Sequence, residues 1–180
     1  MVSYVALLRA VNVGGRNLIG MSDLRKLAAQ LRLDDPRTLV QSGNLVFATA
    51  ARPTADLERL LEAEAASRLG LQTDFVVRSA AEWRAIIECN PFPVQAKNDP
   101  GHLLVMVFKQ PPKAADVKAL RAAISGRELI EARGAHAYLV YPDGVGRSRL
   151  TTGLIEKTLG TRGTGRNWNT VTKLAALAAA

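Results

Sequence analysis

The sequence predicts an α+β protein made of two ferredoxin-like (split βαβ) subdomains packed together, each an antiparallel sheet with helices on one face. Strand-like alternation and helical periodicity follow one another in the order β-α-β-β-α-β over residues 1–80. The same order recurs after residue 100 without its last strand, so we expect the second half to be modified at its C-terminus. The predicted division is 1–90, a subdomain with a bridging helix, and 91–180, a subdomain with a C-terminal helix.

In the first half, the predicted strands are rich in Val, Leu and Phe, and the predicted helices carry apolar residues three or four positions apart. The elements are a strand at 3–11, a helix capped by Ser22, strands at 37–41 and 45–48, a helix beginning at Pro53, a strand at 73–78 and a bridging helix capped by Ser79. Gly70 follows the last apolar residue of the second helix and is expected to end it in a left-handed conformation. The segment 42–44, Ser-Gly-Asn, has the composition of a tight turn between two strands.

The second half begins with a polar connector, predicted at 94–101. The elements that follow are a strand at 102–108, a helix after Pro112, strands at 128–133 and 135–141, a helix at 148–159 and an Ala-rich helix from Thr170. The stretch 161–169 reads T-R-G-T-G-R-N-W-N and shows no strand alternation. We therefore predict a loop in place of the last strand.

The formal net charge of +8 lies almost wholly in the second half. Residues 1–90 hold 11 Lys and Arg against 10 Asp and Glu, whereas residues 91–180 hold 13 against 6. An excess of cations attracts anionic partners and contributes little to the choice of fold. The second half therefore favours an anionic small molecule or a nucleic acid as partner, bound weakly and in a salt-dependent way. Solvated basic faces without a ligand are the alternative interpretation.

The composition also limits the compartment and the chemistry. No run approaches the roughly 20 apolar residues of a membrane span, and residues 1–20 lack the pattern of a secretory signal, so we expect a cytoplasmic protein without membrane contact. Cys89 is the only cysteine, and we expect it to be a partly buried structural thiol. No Cys/His cluster or carboxylate pair has the spacing of metal ligands, and we expect no metal and no cofactor.

Polar side chains concentrate in short segments between the predicted elements. Hydrogen-bond donors dominate these segments, and Asp143 is their only carboxylate. Amide, hydroxyl and guanidinium groups at this density suit a polar or phosphorylated ligand. The candidate ligand-binding residues are Asn12, Gly14, Gly15, Arg16, Asn17, Gln41, Ser42, Asn44, Arg147, Arg166, Asn167, Asn169 and Lys173.

Five segments occur in an order that points to a family. They are L-L-R-A-V-N-V-G-G-R-N (7–17), V-Q-S-G-N-L-V-F (40–47), N-P-F-P (90–93), Y-P-D-G-V-G-R-S-R-L (141–150) and T-G-R-N-W-N-T-V-T-K-L (164–174). In these segments, which span nearly the whole chain, the sequence resembles the bacterial domain of unknown function 1697 family. Ala10, where that family more often has Gly, and Gly20, where it more often has Pro, are mild departures. The resemblance implies two ferredoxin-like subdomains and implies no activity, because the family has no established one.

Residues suited to catalysis are scarce in the polar segments. Proton transfer near neutral pH usually needs His, Asp, Glu or a perturbed Lys or Cys. His102 and His136 fall in predicted strands, where we expect core or edge roles. The segment 14–16, Gly-Gly-Arg, lacks the frame of a phosphate loop or of a dinucleotide-binding loop. We therefore assign no catalytic residues from the sequence.

Each polar segment also has a structural interpretation. The Asn side chains of 12–17 can tie their own backbone, 42–44 can be a plain turn, and 166–170 can be a helix cap anchored by Trp168. If the segments instead converge in space, they form a donor-rich pocket. We predict that 166–170 lies beside 12–17 and closes a polar cleft between the two halves.

Three function classes follow from these observations. We favour a binding module for a small phosphorylated or nucleic-acid-like ligand because the second half is basic, although the chain lacks an aromatic strand motif for base stacking. The first alternative is an enzyme acting on a small anionic metabolite, with Arg166 and Lys173 clamping its charge. The second alternative is a non-catalytic structural or interaction protein. The oligomeric state does not follow from the sequence.

Overall fold

The computed structural model describes all 180 residues and shows an α+β protein with two four-stranded antiparallel sheets. By its internal contacts the chain divides into a first unit, Met1–Ala85 with Lys173–Ala180, and a second unit, Ile86–Thr172. The division predicted from the sequence lies at residue 90 and assigns the last eight residues to the second half. The division into two subdomains at residue 90 stays a prediction.

The first unit contains one sheet with the strand order β2-β3-β1-β4, in which all neighbours are antiparallel. Its elements are β1 (Val2–Leu8), α1 (Met21–Gln30), β2 (Asp34–Thr38), β3 (Asn44–Thr49), α2 (Thr54–Leu69), β4 (Phe75–Ser79) and the start of α3 (Ala80–Glu88). The helices α1 and α2 fall between strands in sequence, so each connects two strands of the same sheet.

Both α1 and α2 pack on one face of this sheet. Tyr4, Ala6 and Leu8 alternate along β1 and therefore point to the same face. They share a buried cluster with Leu24 of α1 and Leu61 of α2, none of which is more than 3% exposed. Burying one such aliphatic side chain stabilises the fold by about 1.5–3 kcal/mol. The apolar stripes of the two helices thus hold them against the sheet.

The helix ends of the first unit follow the sequence signals in two of three cases. Ser79 Oγ accepts from the Glu82 N–H at 3.2 Å, and Glu82 Oε2 accepts from the Ser79 N–H at 2.7 Å, which makes the predicted cap of α3 a capping box. Gly70 ends α2 with a left-handed φ of 62°, as predicted. The prediction for Ser22 is wrong. Helix α1 has Gly20 as its N-cap, because buried Met21 already belongs to its apolar face.

The second unit repeats the arrangement with the strand order β6-β7-β5-β8, again antiparallel throughout. Its elements are α4 (Pro93–Asn98), β5 (Leu103–Phe108), α5 (Ala114–Ala123), β6 (Leu129–Arg133), β7 (His136–Val140), α6 (Thr152–Leu159), β8 (Gly163–Asn167) and the start of α7 (Trp168–Ala179). Met106 and Phe108 of β5 share a buried cluster with Leu120 of α5 and with Ile155 and Leu159 of α6. The helices α5 and α6 therefore cover one face of the second sheet.

The strand predicted to be missing is present. Residues Gly163–Asn167 form β8 and pair with β5, with Gly163 opposite Phe108 and Arg166 opposite Val105. The sequence conceals this strand because glycine has a low β-propensity. The structure explains Gly163, since a Cβ there would lie 2.6 Å from the Phe108 ring. The predicted modification of the second half is therefore wrong, and its element order β-α-β-β-α-β is complete.

Other predicted boundaries also differ from the structure. The polar connector at 94–101 contains the short helix α4, and β2 lies at Asp34–Thr38 instead of 37–41. Strand β2 is an edge strand, and its register shifts between Asp34 and Arg37, which accommodates Pro36. Cys89 is exposed, not partly buried as predicted. None of the helices has the length and apolar character that crossing a bilayer requires.

Candidate functional site

Two asparagines tie the loop after β1. Asn12 Nδ2 donates to the carbonyl oxygens of Ile19 (3.0 Å) and Gln41 (2.7 Å), and Asn12 Oδ1 accepts from the Ile19 N–H at 2.9 Å. Asn17 Nδ2 donates to the Ala10 carbonyl at 3.3 Å. Both asparagines have positive φ, 54° and 49°, which Asn tolerates better than most residues. The backbone therefore uses the amide groups that the sequence offered as ligand donors.

The tip of this loop is a two-residue turn. Gly14 and Gly15 have φ of 59° and 72°, and the Arg16 N–H donates to the Val13 carbonyl at 3.1 Å. A turn with two positive φ values favours glycine at both central positions. A Cβ at either glycine would meet no atom within 4 Å, so the glycines serve the turn and not a close approach. Arg16 is exposed and is the one cation of residues 12–17.

The turn between β2 and β3 is also fixed from within. Asn44 is fully buried and donates to the Leu39 carbonyl at 2.8 Å and to Ser42 Oγ at 3.0 Å. Gly43 has a φ of 75°, and a Cβ there would lie 2.6 Å from Val11 Cγ2. Both the conformation and the lack of space therefore require glycine at position 43. The predicted tight turn is present and rests on a buried amide.

Two of the predicted polar segments do come together. The segments 12–17 and 41–44 are joined by the hydrogen bond to the Gln41 carbonyl described above. Arg16, Gln41 and Ser42 are exposed there. For binding an anion, this pair of loops therefore has one exposed guanidinium and two exposed neutral side chains.

In the second unit, Arg166 is buried in the sheet. Its Nη1 donates to Thr164 Oγ1 at 2.7 Å and to the Gly165 carbonyl at 2.8 Å, and only 8% of the residue is exposed. Burial lowers the pKa of Arg166 to about 10, because surroundings of low dielectric disfavour the charged form. Arg166 thus braces β8, and its role as a ligand residue stays a prediction.

The residues after Arg166 begin α7. Asn167 Oδ1 accepts from the Thr170 N–H at 3.0 Å, as an N-cap does. Trp168 is 8% exposed, and its backbone N–H donates to the Pro100 carbonyl at 3.2 Å. The interpretation of 166–170 as a cap with an aromatic anchor therefore describes its local structure. Asn169 is exposed.

One predicted arrangement joins residues of the two units. Segment 12–17 belongs to the first unit, and segment 166–170 belongs to the second. Lys173, which is exposed on α7, belongs to the first unit. The polar cleft between the halves therefore stays a prediction.

Three strand ends meet at one end of the second sheet. β5 begins where β7 and β8 end, because both neighbours run antiparallel to it. Two hydrogen bonds mark this place, from the Tyr141 N–H to the His102 carbonyl (2.9 Å) and from the Trp168 N–H to the Pro100 carbonyl (3.2 Å). We call it the sheet-2 rim. Its polar residues are Asp99, His102, Arg127, Asp143, Arg147, Asn167 and Asn169.

Charged groups of the sheet-2 rim surround the Asp143 carboxylate. Arg127 donates to both carboxylate oxygens, with Nε 3.2 Å from Oδ2. The hydrogen bond from Arg127 is the main reason that the pKa of the Asp143 carboxyl lies below its usual value, and the charges of Arg147 and His102 act in the same direction. Asp143 in turn raises the pKa of Arg127. Arg147 makes no hydrogen bond through its exposed guanidinium.

His102 lies between Asp99 and the loop after β7. Its Nδ1 is 2.9 Å from Asp99 Oδ2, a contact that places the proton of the neutral ring on Nδ1. Its Nε2 faces Gly144, where a Cβ would be 3.7 Å away. The His102 side chain is 45% exposed. An imidazole oriented in this way presents Nε2 as a group that can accept or donate a proton.

The candidate residues from the sequence lack four residues of the sheet-2 rim, Asp99, His102, Arg127 and Asp143, of which Asp143 was noted only as the carboxylate of the polar segments. Sequence reasoning placed His102 inside a strand, whereas β5 begins one residue later. The available signal was the carboxylate three positions before the histidine in N-D-P-G-H at 98–102. Arg127 had no local signal, because its partner Asp143 is 16 positions away. No group of three or more His, Cys, Asp or Glu residues is arranged to hold a metal ion.

Comparisons with known proteins give a family and a fold. A family model described as a protein of unknown function (DUF1697) matches residues 1–138, so two of the five segments quoted above, 141–150 and 164–174, lie beyond the match. Among solved structures, the conserved bacterial protein SP0830 from Streptococcus pneumoniae is similar, with a TM-score of 0.76 and 21% identity over 98% of each chain. This likeness concerns the fold alone. No curated protein matches the chain.

Proposed function

Because the chain belongs to the DUF1697 family of proteins of unknown function, its chemistry has to be derived from its own residues, and we propose that it is a binding module. The ligand is a small phosphorylated or nucleic-acid-like anion, and it binds at the sheet-2 rim. The observation that supports this proposal is the exposed guanidinium of Arg147, which lies near Asp143 without a hydrogen bond while Arg127 occupies that carboxylate.

The donors of the rim suit a phosphate or carboxylate group. An arginine presents a planar fork of N–H donors that matches two oxygens of such a group. The acids nearby are engaged, Asp143 by Arg127 and Asp99 by His102. Arg147 is therefore the cation of the rim that an incoming anion meets. The exposed Asn169 amide lies in the first turn of α7, directly after β8.

The aromatic residues decide between base recognition and simple anion binding. Recognition of single-stranded nucleic acid usually stacks bases on exposed aromatic rings. Eight of the nine aromatic residues of the chain are buried, and the ninth, Phe92, is half-buried. The buried ones are Tyr4, Phe47, Phe75, Trp83, Phe108, Tyr138, Tyr141 and Trp168. Binding to RNA or DNA is therefore expected to be electrostatic, weak and sensitive to salt.

His102 supports a second candidate function, an enzyme acting on a small anionic metabolite. A carboxylate at Nδ1 and an accessible Nε2 are the arrangement by which enzymes orient a histidine for proton transfer. In this role Arg147 holds the anionic substrate and His102 is the proton-transfer group. Loss of turnover without loss of binding in a His102→Gln variant would distinguish the enzyme from the binding module.

We also propose that each unit is a ferredoxin-like split βαβ fold. Support comes from the order β-α-β-β-α-β in each unit and from strand orders in which the first and third strands are central neighbours. We place the protein in the cytoplasm, since a chain whose single cysteine, Cys89, forms no internal disulfide suits a reducing compartment. Fractionation of cells expressing the untagged protein tests this location.

The binding proposal is tested with Arg147→Ala and a matched control, Lys118→Ala, which removes one exposed cation from α5 of the same unit. Titrations with pyrophosphate and with labelled single-stranded RNA at low and high salt measure the dissociation constant. Loss of a charge-assisted contact costs about 1.5–3 kcal/mol, so Arg147→Ala should weaken binding about tenfold or more. Lys118→Ala should stay within about twofold. An equal loss in both variants would show diffuse attraction and contradict a site at the rim.

A further inference from the structure

The charged groups in and next to the sheet-2 rim nearly cancel one another. The charges of two arginines act on the Asp143 carboxylate, a second carboxylate lies beside the His102 ring, and a third acts on one of the arginines. These two arginines and three carboxylates are Arg127, Arg147, Asp99, Glu128 and Asp143. An anion that approaches the rim therefore meets no net positive charge from these five groups.

His102 is the member of this neighbourhood whose charge changes near neutral pH. Histidine ordinarily gains or loses its charge between about pH 5 and about pH 8, whereas ordinary carboxyl and guanidinium groups titrate outside this range. The phenol of Tyr141, at the end of β7, stays neutral, because burial raises its pKa to about 12. Asn167 and Trp168, at the end of β8, are uncharged. A proton on His102 thus decides whether the rim repels an anion or not.

The second proton of the His102 ring goes to Nε2. Nδ1 carries the hydrogen that it donates to Asp99 Oδ2, 2.9 Å away, so protonation keeps this bond and adds an N–H at Nε2. Nε2 faces Gly144, which has no side chain to cover it and whose φ of 85° favours glycine. Protonation therefore turns Nε2 into a charged hydrogen-bond donor.

The backbone turn after Asp143 brings Arg147 and His102 into one neighbourhood. The Arg147 N–H donates to the Gly144 carbonyl at 3.3 Å, which closes the short 3₁₀ turn Val145–Arg147. Asp143 lies near enough to Arg147 and to His102 for the charge of each to lower its pKa. The two side chains are therefore grouped around the same carboxylate and the same turn.

We propose that the sheet-2 rim is a proton-linked anion site, in which the anion binds together with a proton on His102. This inference rests on the proposed function, because it describes the regulation of the same site. Arg147 contributes a fixed charge, and the Nε2 N–H of protonated His102 contributes a second charged donor. Binding is strongest while the imidazole is protonated and is lost as pH rises, since the neutral ring removes one positive charge. The ligand is an anion that stays charged at mildly acidic pH, as phosphate and sulfate groups do.

The test measures sulfate binding by the full chain at several pH values, because the charge of sulfate does not change in this range. The dissociation constant follows from the amide NMR shifts of residues 143–147. It should be about threefold to tenfold lower at about pH 5.5 than at about pH 8.5, because contacts between exposed charges are modest. His102→Gln should bind at both pH values as wild type does at the higher one. The control His136→Gln removes the other histidine of the chain and should keep the pH dependence.

The ring C–H signals of His102 give a second readout. They should change at a higher pH with sulfate than without it, because a bound anion stabilises the imidazolium, and this measurement decides in wild type even if a variant fails to fold. Sulfate binding that does not depend on pH, or a pH dependence that persists in His102→Gln, overturns the proton link. If Arg147→Ala still weakens pyrophosphate binding in that case, the proposed function stands. The absence of anion binding at the rim at every pH would overturn both.

Discussion

The two units share an element order and a strand order, yet they satisfy their polar groups differently. In the first unit, Asn12, Asn44 and Glu58 are each hydrogen-bonded to the backbone of the same unit. In the second unit, the Arg147 guanidinium is exposed and makes no hydrogen bond. Buried or half-buried polar groups are normally paired within a fold. We therefore interpret the first unit as a scaffold whose polar groups are hydrogen-bonded internally, and the second unit as the one with donors available to a ligand.

The charge distribution agrees with this difference. Residues 1–90 are nearly neutral, and the excess of cations belongs to residues 91–180. A repeated fold therefore does not imply a repeated site, because function depends on which donors the fold leaves unused. Substitutions in either unit test this difference.

The largest effect is expected from removing the anchor at the start of α7. Trp168 is 8% exposed, and Trp168→Ala should lower the free energy of unfolding by about 3–5 kcal/mol, because a large buried side chain leaves a cavity. Urea unfolding measures this change. The neighbouring Asn169→Ala removes an exposed side chain and should leave stability nearly unchanged. A loss below about 1 kcal/mol for Trp168→Ala would contradict its role as the anchor.

The next largest effect is expected from substituting Gly163 of β8, with Gly165 of the same strand as the control. A Cβ at Gly163 would lie 2.6 Å from the Phe108 ring and 2.7 Å from the Val107 carbonyl, so Gly163→Ala should cost about 1–3 kcal/mol through overpacking. Gly165→Ala meets nothing closer than 3.6 Å and should be nearly neutral. Thermal unfolding of the two variants gives the comparison. Equal effects would mean that β8 does not approach β5 as closely as described.

The glycines of β8 show which elements can be predicted from the sequence and which cannot. The apolar runs of β1 and β5 and the Gly70 end of α2 carry local signals, so their elements were predictable. Strand β8 was not, because G-T-G-R-N becomes a strand through its pairing with β5 and through space that only Gly163 leaves for Phe108. Strand propensity is a property of the local sequence, and pairing with another strand of the sheet can override it.

The candidate site divides in the same way. Composition identified the donor-rich segments, including the one around Arg147. It could not show that the Asn12 and Asn44 amides donate to backbone carbonyls, because these bonds depend on the folded shape of the loops and, for Asn12, on Gln41, 29 positions away. It also could not find the neighbourhood of His102 and Asp143, which pairing of β5 with β7 brings together.

In the first unit, the two asparagines of the loop after β1 should differ in their effect. Asn12 makes three side-chain hydrogen bonds, so Asn12→Ala should lower the free energy of unfolding by about 1–3 kcal/mol. Asn17 is exposed and makes one long bond, so Asn17→Ala should cost less than about 1 kcal/mol. Anion affinity measured on the same proteins should not change. A stable Asn12→Ala protein that has lost anion binding would move the site to the first unit.

The smallest effect concerns pH. The pKa of Asp143 lies below its ordinary value in the folded protein, mainly because of the hydrogen bond from Arg127. The pair therefore stabilises the folded state above the ordinary carboxyl pKa, and this contribution is lost as pH falls through the folded-state pKa, below about pH 4. Arg127→Ala should raise the Asp143 pKa toward its ordinary value, which a carboxyl NMR titration measures. An unchanged Asp143 titration would show that the pair is not formed in solution.

The second unit, and not the first, has exposed donors available to an anion. A phosphate titration followed by amide NMR over the whole chain tests it most directly. We expect saturable shifts at the sheet-2 rim, around His102 and from Asp143 to Arg147, with no response from Phe75, Val77 or the Gly14–Gly15 turn. Shifts confined to that turn and to Ser42, with a silent rim, would contradict it.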